Sequence, residues 1–233
     1  MIYVTGDTHG DWNRFAHEIL PLARDWGARD TLLIAGDFGF VFRPEGDPAE
    51  AECMKKLASL PFTVAFCDGN HENFPRLMRY PVEQWQGGTV HRLGPKLFHL
   101  LRGETYLIER KSLLVMGGGR SIDRVWRTPG LSWWPEEMPT NAEYQHLRQR
   151  VQQLKRVDLI LTHAAPASVM RMVGFDPGAE LPLNTALEGI RQSLPYGQWF
   201  FGHLHLDRDF GPNLHGLYHR VMRADGTALQ TID

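Results

Sequence analysis

Cysteine is scarce in this 233-residue chain, which contains only Cys53 and Cys67. Neither residue belongs to a CxxC pair, so the sequence argues against a disulfide framework and against a zinc site built from thiolates. Disulfides persist in oxidising compartments and are rare in the cytosol. We therefore expect both cysteines to be buried free thiols.

Long apolar runs are also missing from the chain. None approaches the roughly 20 residues that a membrane-spanning helix needs. The chain opens with the segment MIYVTGD, which lacks the charged region and the longer apolar stretch of a signal peptide. These features predict a cytoplasmic protein that has no membrane partner.

Concentrated charge of one sign is a third absence. The formal net charge is −2, without a basic tail or an acidic block. Surfaces that bind nucleic acids or anionic lipids are usually strongly basic, so there is no strong nucleic-acid signal. No pattern indicates an obligate protein partner. A hydrophobic content of 42% and the chain length predict one α/β domain that covers residues 1–233.

The first third of the chain alternates apolar strands with helical patterns. The predicted strands are residues 2–5, 31–35 and 62–66. A first helix is predicted from the helical spacing of Trp12, Phe15, Ala16, Ile19 and Ala23, with Pro21 as a kink or early stop. Asp47 and Pro48 predict the start of a second helix that ends near Leu60. This order predicts a parallel sheet covered by helices on both faces.

The pattern changes over residues 89–116, where short strands with turns at Arg102-Gly103 and Arg110-Lys111 predict hairpins. An irregular segment, residues 117–139, comes next. Thr140 and Glu143 form a capping box, which predicts the start of another helix.

The last third begins with two predicted buried strands, residues 157–162 and 198–201. The tail is predicted as hairpin strands through Tyr218, Val221, Leu229 and Ile232, with a turn at Asp225-Gly226. Two sheets packed as a sandwich with flanking helices would satisfy the whole order.

Polar residues follow five of the predicted strands, at the point where each strand ends. The segments are Gly6-Asp7-Thr8-His9-Gly10, Gly36-Asp37-Phe38-Gly39, Asp68-Gly69-Asn70-His71-Glu72, His163, and Gly202-His203-Leu204-His205. This edge of an open α/β sheet is where ligands bind. Alternate residues of an extended segment point the same way, so each of Asp7-x-His9 and His203-x-His205 can present two ligands to one place.

A single motif of this kind is typical of a surface turn. Several polar groups gathered at the end of a core need a shared partner, because burying them unpaired is costly. A cation would serve all of them. The seven candidate ligands are Asp7, His9, Asp37, Asn70, His163, His203 and His205. Seven ligands exceed what one ion needs, which favours two ions that share a carboxylate, as in phosphatases and nucleases.

The donor types indicate which metals fit. Carboxylate, imidazole and amide groups without a thiolate suit manganese, iron, zinc, nickel or cobalt, and they do not suit a structural zinc or copper site. We expect two divalent ions, with manganese first among these metals.

Taken in order, the motifs GDTHG, GDFG, GNHE, a strand that ends in His163, and GHLH resemble the five motifs of the calcineurin-like metallophosphoesterase superfamily. They span most of the chain. The resemblance implies a four-layer α/β/β/α fold, in which two sheets form a β-sandwich between helices. It also implies a binuclear metal-dependent phosphoesterase that hydrolyses a phosphate monoester or diester with a metal-bridging hydroxide.

The resemblance further implies a role for each residue at a matching motif position. One metal would be bound by Asp7, His9 and His205, the other by Asn70, His163 and His203, and Asp37 would bridge them. His71 matches the position that protonates the leaving group in many relatives, which makes it the candidate catalytic residue.

The sequence departs from the Ser/Thr phosphoprotein phosphatases of this superfamily. Phe40 and Val41 stand where their second motif has Asp and Arg, and Asp68 stands where their third has Arg. The fourth motif is THAAP, without the two glycines that follow their His. The chain looks closer to the small single-domain bacterial and phage members. Without the familiar Asp, the partner that orients His71 is left open between Asp68 and Glu72.

The segment of residues 117–139 is the candidate substrate-facing part, because it is long, irregular and rich in Arg and Trp. Arg120, Arg124 and Arg127 are candidate substrate-binding residues, since Arg can hold phosphate through two N–H groups. The alternative is that these arginines are solvated. The tryptophans are expected to pack. Ordinary structural roles are expected for the histidines outside the motifs, namely His17, His91, His99, His146, His215 and His219.

The expected substrate is a small phosphorylated molecule such as a nucleotide. A nuclease or a cyclic-nucleotide phosphodiesterase is the alternative, although the near-neutral charge gives a nuclease little support. A phosphoprotein phosphatase and a non-catalytic metal-binding scaffold are less favoured, and the complete ligand set argues against the scaffold. A structural zinc protein fits least, because such sites prefer thiolates and four ligands.

Overall fold

The computed structural model describes residues 1–176 and 178–229. The strands are β1 (Ile2–Thr5), β2 (Thr31–Ile34), β3 (Thr63–Phe66), β4 (Val82–Trp85), β5 (Gly88–Gly94), β6 (Leu97–Leu100), β7 (Thr105–Ile108), β8 (Lys111–Met116), β9 (Val157–Thr162), β10 (Tyr196–Phe201), β11 (Arg208–Asp209), β12 (Leu214–Gly216) and β13 (Val221–Arg223). The α-helices are α1 (Trp12–Arg14), α2 (Pro48–Ala58), α3 (Phe74–Leu77), α4 (Asn141–Gln153), α5 (Ala167–Val173) and α6 (Leu181–Ser193).

The strands form two mixed sheets. The first has the order β13-β1-β2-β3-β6-β5-β4, and the second has the order β11-β12-β10-β9-β8-β7. In the first sheet β1, β2, β3 and β6 run parallel, and in the second β8, β9, β10 and β12 do. The carboxyl ends of neighbouring parallel strands therefore lie together at one edge of each sheet.

The two sheets pack face to face, with helices on both outer faces. Leu33 of the first sheet and Leu161 of the second belong to the cluster between the sheets. Leu32, the next residue along β2, belongs instead to an outer cluster with Leu57 of α2. Successive strand residues point to opposite faces, so strands buried on both sides must be apolar throughout, as the sequence had indicated. The expected four-layer α/β/β/α fold is confirmed.

The structure confirms the predicted N-termini of two helices, α2 and α4. The Asp47 side chain accepts a hydrogen bond from the backbone N–H of Glu50, with Pro48 in the first helical turn. Thr140 and Glu143 form the expected reciprocal capping box of α4. These contacts satisfy backbone N–H groups that the first helical turn leaves without partners.

The first predicted helix is shorter and less regular than its apolar spacing suggests. After α1 the chain continues as a π-helix over Phe15–Ile19 and then as turns, so Ala23 lies outside the helix. Pro21 lies two residues after the end of the π-helix, in agreement with its predicted role as an early stop. Proline lacks the N–H that would continue the helical hydrogen bonds.

Two hairpin predictions need correction. The turn at Arg102-Gly103 does not join a hairpin, because β6 lies in the first sheet and β7 in the second. At this turn the chain crosses from the first sheet to the second. The turn between β7 and β8 is a hairpin, but it is centred on Glu109 and Arg110, with φ of 48° and 62°, and Lys111 already begins β8.

The tail also differs from the predicted run of hairpin strands. Tyr218 lies between strands, and β13 pairs with β1 at the edge of the first sheet while β12 belongs to the second. The turn at Asp225-Gly226 is present, and Met222 bridges to Ala228 after it. Ile232 lies outside the described residues. Helices α3, α5 and α6 had not been predicted.

Both cysteines are free; Cys67 is buried and Cys53 is half-buried. Among the described residues, no helix combines the length and the apolar character that crossing a lipid bilayer would require.

Candidate metal centre

Five strand ends converge where the two sheets meet. Asp7, Asp37 and Asn70 follow β1, β2 and β3, and His163 and His203 follow β9 and β10. Within the described residues there are three groups of three potential metal ligands, and in each group the ligand atoms lie within 4.8 Å of one another. The groups are Asp7 with His9 and His205, His9 with Asp37 and His71, and Asp7 with Asp37 and His163.

The group of Asp7, His9 and His205 lies on the open side of this cluster. The Nε2 atoms of His9 and His205 are 3.0 Å apart, and His205 Nε2 is 3.1 Å from Asp7 Oδ2. The side chains of His9 and His205 are 26% and 46% exposed, whereas Asp7 is fully buried. Two imidazoles therefore reach the carboxylate from the solvent side.

Asp37 lies between this group and a second one. Its Oδ2 is 3.7 Å from His9 Nδ1, while its Oδ1 is 3.4 Å from His163 Nε2. His163 Nε2 is in turn 3.1 Å from Asn70 Oδ1. The two oxygens of one carboxylate thus face two different sets of donors.

His203 belongs to the second set by position. Its ring lies beside the ring of His163, with 4.7 Å between centroids. Its backbone N–H donates to the Asp7 carboxylate at 3.1 Å. Its Nε2 points away from the cluster and lies 2.9 Å from Oε2 of the buried Glu180.

Local backbone features make this close approach possible. A Cβ atom at Gly69 would lie 2.1 Å from Asp37 Oδ1, and one at Gly202 would lie 2.0 Å from Asp7 Oδ1. Only glycine fits at either position. His9, Asp37, His203 and His205 all have positive φ, between 45° and 65°. Such conformations are strained for non-glycine residues and are commonly retained at functional sites.

The charges of the cluster fit bound cations. Burial would raise the pKa of Asp37, but the neighbouring imidazoles, chiefly His163, outweigh this and hold its pKa well below the usual range. Asp7 and Asp37 are both buried, and in the described part of the chain no Lys or Arg forms a salt bridge with either. Buried carboxylates without a cationic partner are costly. Divalent ions among these donors would remove that cost.

A sequence model of the calcineurin-like phosphoesterase family matches residues 1–207. The chain belongs to the calcineurin-like phosphoesterases. The expected superfamily is therefore confirmed, and its members are metal-dependent phosphoesterases, in agreement with the expected enzyme class. A search of curated proteins finds no significant match.

The fold of this phosphoesterase resembles a solved structure from Staphylococcus aureus that is named, provisionally, as a 5'-nucleotidase in complex with alpha-ketoglutarate. The TM-score is 0.51 and the sequence identity is 14%. The match covers 100% of this chain and 54% of the other, so the phosphoesterase spans about half the length of that neighbour. At this identity the likeness shows a shared fold.

His71 lies at the edge of the phosphoesterase site. Its backbone N–H donates to Asp37 Oδ1 at 2.7 Å. Its ring stacks on Phe42, with 5.6 Å between centroids, and its Nε2 lies 2.7 Å from Arg127 Nη2. Burial, opposed by Asp37 and reinforced by His9 and Arg127, lowers the pKa of His71 to about 4.

In the described part of the chain, neither of the two residues considered from the sequence as partners of His71 forms a hydrogen bond with its ring. Asp68 is bound by Arg102 and His99. Glu72 is fully buried and accepts hydrogen bonds from the backbone N–H groups that follow Asp37. Phe42 and Arg127 orient the His71 ring instead.

The three candidate substrate-binding arginines have different surroundings. Arg127 lies at the site, against His71, and is also paired with Asp123 at 2.8 Å. Arg124 is held by the buried Glu137 and lies over the ring of Trp133. Arg120 is half-buried, and its backbone N–H donates to Glu180 at 2.7 Å. Arg127 is the one whose guanidinium reaches the candidate catalytic residue.

The tryptophans of the same segment agree with the packing expectation in part. Trp134 is buried and Trp133 packs under Arg124. Trp126 is 88% exposed, so it packs against little of the described chain.

Most histidines outside the motifs form hydrogen bonds away from the cluster. His91 pairs with His99 at 3.0 Å, His146 with Glu104, His215 with Asp209, and His219 with Glu18. These contacts agree with structural roles. His17 and His219 also line an open cavity of about 330 Å³ that begins at Asp7 and His9.

Sequence reasoning missed three residues close to the site, namely Glu180, Glu137 and Ser121. All three are buried. Glu180 precedes α6 and Glu137 lies in the irregular segment, where no periodic pattern separates buried from exposed positions. Two adjacent glutamates, Glu136 and Glu137, gave no indication of which would be buried.

Proposed function

We propose that this phosphoesterase hydrolyses a phosphate monoester or diester with two divalent cations held on either side of Asp37. The observation that carries the proposal is the position of the Asp37 carboxylate, whose oxygens face His9 on one side and His163 on the other. One carboxylate between two sets of donors suits a pair of ions, and paired ions are typical of phosphoester hydrolysis.

The proposed ligand sets are those that the family resemblance implies, and the group of Asp7, His9 and His205 supports the first of them. One ion would be held by Asp7, His9 and His205, and the other by Asn70, His163 and His203. The mixed oxygen and nitrogen donors favour manganese, with iron, zinc, nickel or cobalt as alternatives. Such ions would make water more acidic and would neutralise charge on the phosphate.

The protein itself would supply a proton and a fixed positive charge. His71 would donate a proton from its ring to the leaving oxygen. Arg127 would exchange its contact with His71 Nε2 for a contact with a phosphate oxygen. Nε2 would then be free to take up a proton from solvent, beside the negative charge of the substrate, and to pass it to the leaving oxygen. Arg127 Nη2 lies 2.7 Å from His71 Nε2, which supports the action of both groups at the same end of the substrate.

The proposed substrate is a small phosphorylated molecule such as a nucleotide. The name of the Staphylococcus aureus neighbour supports this class, and the cavity of about 330 Å³ beside Asp7 and His9 has the size of a small-molecule site. We further propose that residues 1–233 act as one domain in the cytoplasm, with no obligate protein partner. The ligands come from both sheets, which supports a single unit.

The proposal is tested with metal-stripped protein to which manganese, nickel, zinc or magnesium is restored singly. An aryl phosphate monoester and an aryl phosphate diester are the substrates. We expect turnover that depends on the added metal and is lost in Asp37→Asn. Asp158→Asn is the matched control, because Asp158 bonds to Ser112 far along the second sheet. No turnover with any metal would overturn the proposal, and so would full activity in Asp37→Asn.

A further inference from the structure

The three ligands of the second proposed ion share one feature: the polar atom that faces away from the cluster is held by another group. For His163 this group is the carbonyl oxygen of Ala35, 2.9 Å from Nδ1. A carbonyl can only accept, so Nδ1 carries a proton, which leaves Nε2, the nitrogen that faces Asp37 and Asn70, as the one available to a metal ion.

Glu180 holds His203 in the same way. The carboxylate lies 2.9 Å from His203 Nε2 and can only accept, so Nε2 carries a proton, which leaves Nδ1 as the nitrogen available to a metal ion. Glu180 is itself fixed by the backbone N–H of Arg120 at 2.7 Å and by the side-chain amide of Asn184 at 2.8 Å. A buried and immobile acceptor therefore sets both the tautomer and the orientation of this ring.

Asn70 is held through a relay of two residues. Ser121 Oγ donates to Glu137 Oε2 at 2.8 Å and is 3.3 Å from Asn70 Nδ2. Because the hydroxyl proton is used on Glu137, the hydroxyl oxygen can only accept from Asn70. The amide nitrogen must then face Ser121, which turns Oδ1 toward His163 at 3.1 Å.

Among the ligands of the first proposed ion, Asp7 accepts from the backbone N–H of His203. The two imidazoles of this set, His9 and His205, have no equivalent support among the described residues. The two nitrogens of His9 face Asp37 and His205, which are themselves candidate ligands. The ring of His205 stacks on Tyr218 and its side chain is 46% exposed. The second ligand set is therefore held by groups outside the cluster, whereas the two imidazoles of the first set are freer to move.

We propose that Glu180 and Glu137 are positioning residues for one of the two metal positions, the one formed by Asn70, His163 and His203. This inference rests on the proposed function. Partners that orient metal ligands typically contribute a factor of about 10–100 in metal affinity. Removing either carboxylate should therefore weaken one position and leave the other unchanged.

The test is a Mn²⁺ titration of the metal-stripped protein, with free Mn²⁺ followed by electron paramagnetic resonance from micromolar to millimolar concentrations. Wild type should bind two ions. Glu180→Ala should weaken one of them by about 10–100-fold. Glu188→Ala is the matched control: Glu188 is a buried carboxylate of α6 that binds Ser168 and Arg191, away from the cluster, and its loss should leave both affinities unchanged.

A double-mutant comparison separates loss of ligand positioning from damage to the fold, because the effects of two substitutions do not add when one residue acts through the other. In a His203→Ala background, Glu180→Ala should have no further effect, since no ring remains to be held. In a His205→Ala background it should keep its full effect. Glu180→Gln, which keeps an acceptor for the ring, should recover most of the affinity, and thermal unfolding should verify that each variant is folded.

Ser121→Ala tests the relay from Glu137 through Ser121 to Asn70 with a minimal change. Loss of the hydroxyl should weaken the same ion as Glu180→Ala, while Ser112→Ala, a serine bonded to Asp158, should not. Equal weakening of both ions by Glu180→Ala, or no weakening at all, would overturn the positioning role while leaving the two-ion proposal intact. A wild-type protein that binds no Mn²⁺ would overturn both.

Discussion

Gly69→Ala isolates the geometry of the site with a single methyl group. The added Cβ would lie 2.1 Å from Asp37 Oδ1, 2.4 Å from the Asp37 backbone nitrogen and 2.8 Å from His163 Nε2. Gly69 does not have the positive φ that only glycine adopts easily. Lack of space is therefore the main obstacle to alanine at this position.

The size of the effect follows from the overlap. Nonbonded contacts of carbon are comfortable near 3.5 Å, so Asp37 or the Gly69 backbone must move by about 1 Å. Overpacking of this kind costs roughly 1–3 kcal/mol of unfolding free energy. A displacement of about 1 Å at a reacting centre lowers turnover by about 10²-fold. We expect a folded protein that is nearly inactive.

The assay compares turnover of the aryl phosphate ester, Mn²⁺ affinity and thermal unfolding between Gly69→Ala and Gly189→Ala. Gly189 lies in α6, where an added Cβ meets nothing within 4 Å. Alanine there should stabilise the helix by about 0.5–1 kcal/mol and leave turnover unchanged. A Gly69→Ala protein with wild-type turnover and two bound Mn²⁺ ions would refute the role given to Asp37.

Four further substitutions have expected outcomes. His71→Ala should keep both Mn²⁺ ions but lower kcat by about 10²–10⁴-fold, because the proton donor is lost; steady-state kinetics and metal analysis check this. Arg127→Ala should weaken substrate binding and raise KM, whereas Arg124→Ala should chiefly lower the melting temperature by leaving Glu137 buried without its cation. Burial raises the pKa of Glu188, but hydrogen bonds, chiefly from Arg191, outweigh this and lower its pKa to about 2. A lowered pKa in the folded state means that the ionised Glu188 stabilises the fold. This stabilisation is complete above the unfolded pKa of about 4.3 and is lost as pH falls toward 2. Melting curves should therefore show less acid destabilisation in Glu188→Gln than in wild type.

Specific results would contradict these predictions. Loss of a metal ion in His71→Ala would mean that the residue is a ligand. An unchanged KM in Arg127→Ala would remove Arg127 from substrate binding. Identical pH profiles of wild type and Glu188→Gln would show that the Arg191 contact contributes nothing to folding.

The strand ends could be predicted from the sequence because two local signals coincide there. A continuous apolar strand must be buried on both faces, and a glycine beside a polar residue marks the point where the chain turns at the sheet edge. Asp7, Asp37 and Asn70 each follow such a strand. Parallel pairing then brings them together without any further information.

The crossing at Arg102-Gly103 could not be predicted in the same way. A turn with glycine between two apolar segments looks the same whether the strands pair with each other or enter different sheets. The choice depends on the pairing of β6 with β3 and of β8 with β9. These contacts are distant in sequence, so no local pattern contains them.

The residues around the metal ligands could not be predicted from the sequence for a related reason. Arg127 reaches His71 across 56 positions, and Glu180 reaches His203 from the short 3-10 helix directly before α6. Irregular segments have no period that marks a buried side. Arginine was proposed for this segment from its chemistry, but only the folded chain distinguishes Arg127 at His71 from Arg124 on Glu137.

Anomalous diffraction from crystals grown with Mn²⁺ tests the central claim most directly. We expect two manganese peaks, one on each side of the Asp37 carboxylate. No peak, or a single peak that does not contact Asp37, would contradict the proposed pair of ions.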